Sequence, residues 1–261
     1  RSQVKDTMTT PWAALGYQIQ PGQQVYASWG EGVENLMAPF GDSPATRANY
    51  LNYGAYLPAA KSRQLEAGFK SQSQGLFWSV NAFRIVRPKA EYVDNGTGSG
   101  MKLYQRDGEA LHQGLEGQVQ TRIDRWGLAA SAMLLDAKRR GSATEAINGK
   151  APTNVPRHTF KLSGLYDVGG TARIKLGANL VNEGARTVDV MEGISLPSWT
   201  RIDALASCQT QLANSRSIQW SLGITNLLDT RAWVESPTQF DHIYLFPMAE
   251  RAFNASMQIS F

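Results

Sequence analysis

Cysteine is almost missing from this chain. Cys208 stands alone, which excludes an internal disulfide and any metal site built on cysteine ligands. Histidine is scarce too, and the spacings of His112, His158 and His242 match no metal-binding pattern such as His-Glu-x-x-His. Charged residues are 18% of the chain, below the usual quarter. The Lys and Arg behind the net charge of +4 are scattered, so the one-sided basic stripe of a nucleic-acid binder is lacking. Long hydrophobic runs are lacking as well. The longest nearly apolar stretch is Leu128 to Leu135, whereas a spanning helix needs about 20 residues. No Gly-x-Ser-x-Gly elbow and no phosphate-cradling loop is found, so enzymatic chemistry is not expected. The chain opens on Arg1 without a charged-then-apolar leader and reads as a mature or truncated piece of a longer product.

What the chain has in quantity is alternation. Leu15, Tyr17 and Ile19 alternate with Gly16, Gln18 and Gln20; Ile174, Leu176, Ala178 and Leu180 alternate with Arg173, Lys175, Gly177 and Asn179. The closing stretch RAFNASMQISF does the same and ends on Phe261. Period two marks strands that are apolar on one face and polar on the other. It predicts eleven of them, near 12–20, 23–31, 60–70, 75–87, 111–123, 126–137, 156–167, 172–183, 198–211, 215–227 and 249–261. Many are longer than soluble strands usually are and suit a tilted bilayer crossing of about 9–11 residues.

The links between strands alternate in length, at about 2, 28, 4, 23, 2, 18, 4, 14, 3 and 21 residues. Every second link is a tight turn, as at Pro21-Gly22 and Asp124-Arg125; the others are rich in Gly, Pro, Asn and Ser. Turns sorted by side in this way fit an outer-membrane barrel with short periplasmic turns and long external loops. The last strand then descends, leaving Phe261 at the periplasmic rim, where aromatics anchor at headgroup level. The expected fold is therefore all-β, a portion of an antiparallel transmembrane β-barrel. A passive porin, a barrel enzyme and a soluble β-sandwich binding domain remain alternatives.

Four segments, QVYASWGEGVENL, NVPRHTFKLSGLYD, LPSWTRIDALAS and GITNLLDTRAW, together with the terminal Phe, carry a family resemblance. In this order they resemble the TonB-dependent outer-membrane receptors, particularly those for ferric siderophores. The resemblance implies a 22-stranded barrel, of which residues 1–261 would be the C-terminal half, with the plug domain and TonB box absent. It also implies uptake of a ferric siderophore as transported ligand, energised by the TonB complex, with no covalent cofactor and no catalytic step. Implied partners are TonB (through the plug and TonB box), membrane lipid, and the barrel-assembly machinery through the C-terminal strand. Ala232 stands where the family often carries an aromatic, with Trp233 after it.

Tyr50, Tyr53, Tyr56, Trp233, His242 and Tyr244 fall in long loops and are the candidates for ligand contact, because pockets pair aromatic walls with a few polar groups. Arg122, Arg173, Lys175 and Arg201 fall on polar faces. They admit two readings, a hydrated wall or attraction for an anionic chelate. His112 and His158 sit at strand starts and are expected to be structural, and the NLLD segment is expected to be a strand-end turn in which Asn226 and Asp229 satisfy backbone groups.

Overall fold

The computed structural model describes residues 7–38, 48–94, 100–212, 216–239 and 242–260. Strands β1 (Trp12–Gln20), β2 (Gln23–Glu34), β3 (Ala60–Ser73), β4 (Leu76–Asp94), β5 (Lys102–Ile123), β6 (Trp126–Arg140), β7 (His158–Gly169) and β8 (Ile174–Glu183) pair in chain order. A loop ribbon of β9 (Arg186–Thr187) and β10 (Ser195–Leu196) follows, and then β11 (Trp199–Gln211) and β12 (Ser217–Thr225) continue the sheet. In the last long loop β13 (Trp233–Glu235) pairs with β16 (Phe246–Pro247), and β14 (Thr238–Gln239) with β15 (His242–Ile243). β17 (Ala252–Ser260) ends the eleven-stranded antiparallel meander beside β12.

Residues directly opposite in an antiparallel sheet point to the same face, so the register tests the alternation across strands. Tyr166, Leu176, Ala206, Leu222 and Ala255 form one row, and the neighbouring row is Asp167, Lys175, Ser207, Ser221 and Ser256. In these rows one face is apolar and the other polar. No second layer covers the apolar face among the described residues: Trp220 is 49% exposed and Leu222 59%. A β-sandwich would bury that face against a second sheet about 10 Å away, and the sandwich reading is discarded. The buried apolar residues include Tyr50, Ile147, Val188, Leu196 and Met248, all of which belong to the long loops.

The apolar band also moves diagonally. The row that starts at Leu15, well inside the band on β1, runs through Ala27, Ala67, Ala82, Leu115 and Leu134 and meets His158 at the end of β7. Such a stagger belongs to strands tilted within a curved wall. On the polar face, Gly68 makes room for the Tyr26 ring, since a Cβ there would lie 2.8 Å from it. The Tyr26 hydroxyl donates to Glu66 at 2.6 Å.

Two strands outrun the alternation. β4 and β5 were expected at 75–87 and 111–123, yet they stay paired out to Asp94 and Lys102, with a register shift between Pro88 and Ala90. Pro88 has no N–H to donate, and a bulge absorbs that gap. Beyond it Tyr92 faces Tyr104 and Val93 faces Leu103 among charged and polar neighbours, so pairing continues where the clean alternation has stopped. At the other end β8 begins at Ile174, which leaves Arg173 in the turn at φ 42 and not on the wall. β1 and β17 lie at the two edges of the sheet and do not pair with each other, so the sheet is open.

Candidate functional site at the long-loop end

The long loops fold onto one another and onto the extended β4–β5 hairpin. Tyr50, only 6% exposed, packs on Tyr92 with ring centres 5.2 Å apart, and Tyr92 packs on Tyr104 at 4.9 Å. Such offset ring pairs add to simple area burial. Asn52 clamps the same spot, donating to the Tyr104 carbonyl at 2.6 Å and accepting from its N–H at 3.0 Å. The Leu51 N–H donates to the Lys102 carbonyl at 2.9 Å.

Beside this aromatic stack lies a charged cluster. Arg87 grips Glu34 through two bonds of 2.9 and 3.0 Å, and Arg139 meets Glu91 at 2.5 Å and Asp107 at 3.7 Å. Asp107 in turn accepts from the Ser142 hydroxyl and from the Ala143 N–H at 2.8 Å, which ties the 141–157 loop to β5. Lys89 has its pKa pushed down by burial first, and then by the neighbouring Arg139 and Arg87.

Farther round, Asn154 joins three loops: its N–H donates to the Thr187 carbonyl at 2.9 Å, and its side-chain oxygen accepts from the Ser236 N–H at 3.0 Å. The Asp189 carboxylate accepts N–H groups from Gly193 at 3.2 Å, Ile194 at 2.6 Å and Met191 at 2.8 Å. Those bonds hold its pKa below the ordinary carboxylate value.

Two of the resembling segments meet in space. Asn226, fully buried and at φ 54, donates its N–H to Asp203 at 2.8 Å and its amide to the Thr230 and Ala249 carbonyls at 2.9 Å. Its side-chain oxygen accepts from the Thr230 N–H at 2.9 Å. Asp229 accepts the Arg251 N–H at 3.1 Å. The NLLD segment is thus the strand-end turn its residues suggested, and its work is structural. His158 is structural as well, bonded at 3.1 Å to Asn182, which donates onward to Trp199 and Thr200 across three strands.

The candidate contact residues divide between two places. Tyr50, Tyr53 and Tyr56 share the loop that docks on the β4–β5 hairpin; Tyr50 is buried, Tyr53 half-buried and Tyr56 51% exposed. Trp233 and Tyr244 belong to the last long loop, where each is 43% exposed and Trp233 pairs with Pro247. His242 pairs with Gln239 through its backbone; its side chain lies outside the described residues, as does Phe261. Arg201 lies on the polar face beside Asp203 at 3.1 Å, and Arg122 and Lys175 share that face. Sequence reasoning missed Tyr92, Tyr104, Arg87, Lys89 and Arg139. Tyr92, Tyr104, Lys89 and Arg139 fell in segments read as loop, and Arg87 closed the strand expected at 75–87.

Among the described residues there is no group of three or more His, Cys, Asp or Glu placed to hold a metal ion. On the polar face nearer the tight turns, Phe77, Gln120, Leu165, Gly177 and Leu205 line a hollow of about 620 Å³.

Comparison with known proteins agrees with this architecture. The chain spans 97% of its own length and 36% of the other chain when superposed on BauA, the ferric preacinetobactin receptor from Acinetobacter baumannii, with 23% identity and a TM-score of 0.78. For the siderophore receptor PiuA from Acinetobacter baumannii the values are 95% and 35%, with 21% identity and a TM-score of 0.73. For the ferric yersiniabactin uptake receptor FyuA from Yersinia pestis they are 96% and 37%, with 14% identity and a TM-score of 0.74. The chain therefore covers little more than a third of these receptors, and at such identities the likeness is one of fold. No curated protein matches the chain. The family described as "TonB dependent receptor-like, beta-barrel" matches residues 1–227. The described strands form an antiparallel meander with one bare apolar face, tight turns at one end and interlocked loops at the other, and by its match over most of its length this chain belongs to the TonB-dependent receptor β-barrel family.

Proposed function

We propose that this chain forms wall and mouth of an outer-membrane receptor that imports a ferric siderophore, with TonB supplying the energy. The observation that carries the reading is the bare apolar face, with Leu176, Trp220 and Leu222 exposed side by side. Water would penalise such a face at about 25 cal/mol per Å², whereas lipid would solvate it. The apolar face then meets hydrocarbon, the polar face lines the lumen, and the loop cluster faces the outside of a Gram-negative cell. Tyr53, Tyr56, Trp233, His242 and Tyr244 would meet the chelate, with Tyr50 bracing the first of these loops from beneath. The ferric chelate is cargo, and the chain needs no covalent cofactor and carries no catalytic step. The two open edges are where further strands of the same wall would pair. Plug and TonB box would belong to the rest of the receptor, and the Ala252–Ser260 strand with Phe261 would be the segment that the barrel-assembly machinery handles.

The test is iron uptake by the complete receptor in cells stripped of their other siderophore receptors. Labelled ferric siderophores should enter only when TonB and the proton gradient are present. Uptake that survives loss of TonB would move the protein to the passive porins.

A further inference from the structure

The polar face changes character as it nears the long loops. Asn81, Glu116, Met133 and Thr159 form one row of it, and the next row toward the loops is Phe83, Gly114 and Leu135. The Leu135 N–H donates to the Arg157 carbonyl at 2.8 Å, which sets Arg157 at the end of that row. Ile85, His112 and Ala137 follow, and then Arg87, Ala110 and Arg139. An apolar patch is thus set into the polar face, with a cation beside it and cations above it.

Gly114 opens the patch. A Cβ there would lie 2.1 Å from the Leu134 carbonyl oxygen and 2.9 Å from the Phe83 ring, so glycine lets that ring lie against β5. Phe83, Gly114, Leu135 and Arg157 line a hollow of about 520 Å³, within the size range of small-molecule pockets. Two of the surrounding cations have no carboxylate of their own. Glu34 is bonded to Arg87, and Glu91 and Asp107 to Arg139. Lys89, half-buried beside these pairs, and Arg157, exposed, form no ion pair among the described residues. Arg139 has a side chain only 5% exposed, and its Nε lacks a hydrogen-bond partner. Cations and donors withdrawn from water without partners cost free energy that an incoming anion would offset.

We infer that the lumen wall of β4 to β6, with the Arg157 that precedes β7, is a seat for an aromatic oxyanion, so that the imported chelate holds its iron through anionic aryl groups of the catecholate or phenolate class. The inference rests on the import reading above and narrows it. Phe83 and Leu135 give an aryl ring an apolar floor, and ring pairs favour offset or edge contacts over that floor. A guanidinium both pairs with an oxyanion and stacks on an aromatic face, which is the double task of Arg157. A neutral hydroxamate chelate would leave Lys89 and Arg157 unanswered, and an aliphatic carboxylate chelate would leave the Phe83 ring uncovered.

The experiment titrates the complete receptor in detergent with three iron(III) complexes, following the quenching of tryptophan fluorescence. A tris-catecholamide complex is anionic and aromatic, a citrate complex anionic without rings, and a trihydroxamate complex without negative charge or rings. The tris-catecholamide should bind more tightly than either of the others by at least about tenfold, the worth of one good ring contact or ion pair. K89Q/R157Q should bring it near parity with the trihydroxamate, and F83A near parity with citrate. K70Q, which removes a lumen-face lysine on β3, should keep both preferences. Folding of each variant is checked by the shift between unheated and heated protein on a gel. Equal affinity for the three complexes, unchanged preferences in K89Q/R157Q and F83A, or an equal loss in K70Q would each overturn the seat. A folded receptor that binds none of the three would instead refute the import reading, an outcome distinct from binding without preference.

Discussion

Asn226 shows what one side chain does where a strand leaves the wall. Its left-handed backbone suits asparagine better than most residues, and its buried amide satisfies three backbone groups of the segment that turns back toward β17. Asn226→Ala strands those groups, and unmade buried hydrogen bonds cost about 1–3 kcal/mol each. The variant should lose about 2–4 kcal/mol in urea unfolding of the reconstituted receptor; a loss within error of zero would show that water replaces the amide. Asp189 gives a pH signature. Its folded pKa lies below the unfolded value of about 3.9, so its support for the 184–198 loop is complete above that value and lost as pH falls through the folded pKa. The amide resonances of Met191, Gly193 and Ile194 should titrate together with a midpoint below that of a free aspartate. A midpoint at or above it would contradict the bonding.

At the scale of the strand, the two faces should respond differently to the same insult. Leu176→Arg and Leu222→Arg put a cation on the apolar face, at a cost of about 2–4 kcal/mol if they sit near the bilayer midplane. Ser221→Arg, one residue away on the polar face, should be tolerated. Equal damage in refolding assays from both faces would mean that neither face meets lipid. The β4–β5 hairpin makes a separate claim. Tyr92→Ala removes the middle ring of three, so hydrogen exchange should quicken at Leu51 and Tyr104 while β7 and β8 keep their protection. Unaltered exchange would show that the Asn52 clamp holds the loop without the stack.

For the molecule as a whole, the open edges decide what residues 1–261 achieve alone. Among the described residues β1 and β17 each lack a neighbouring strand on the outer side, and unpaired strand edges are costly in lipid and sticky in water. Expressed without the remainder of a receptor, the chain should show no energy-dependent iron uptake in cells. Import by 1–261 alone would overturn the need for further strands.

Period two, turn lengths and four short segments were enough to read strand number, order, facing and family, because each is a local property repeated down the chain. A residue such as Leu222 or Ser221 declares its face through its immediate neighbours. The extension of β4 and β5 was not legible, since beyond Pro88 the hairpin is held by backbone pairing and tyrosine stacking and not by apolar alternation. Nor was the loop cluster: Tyr50 meeting Tyr92, Asn154 meeting Ser236 and Asp203 meeting Asn226 each join residues far apart in sequence, where only chain closure in three dimensions brings partners together. Alternation along the chain determined which side of most strands is apolar, less cleanly at 75–87 and 126–137; which loops meet at a common margin was decided by the register between strands, because pairing joins residues far apart in sequence.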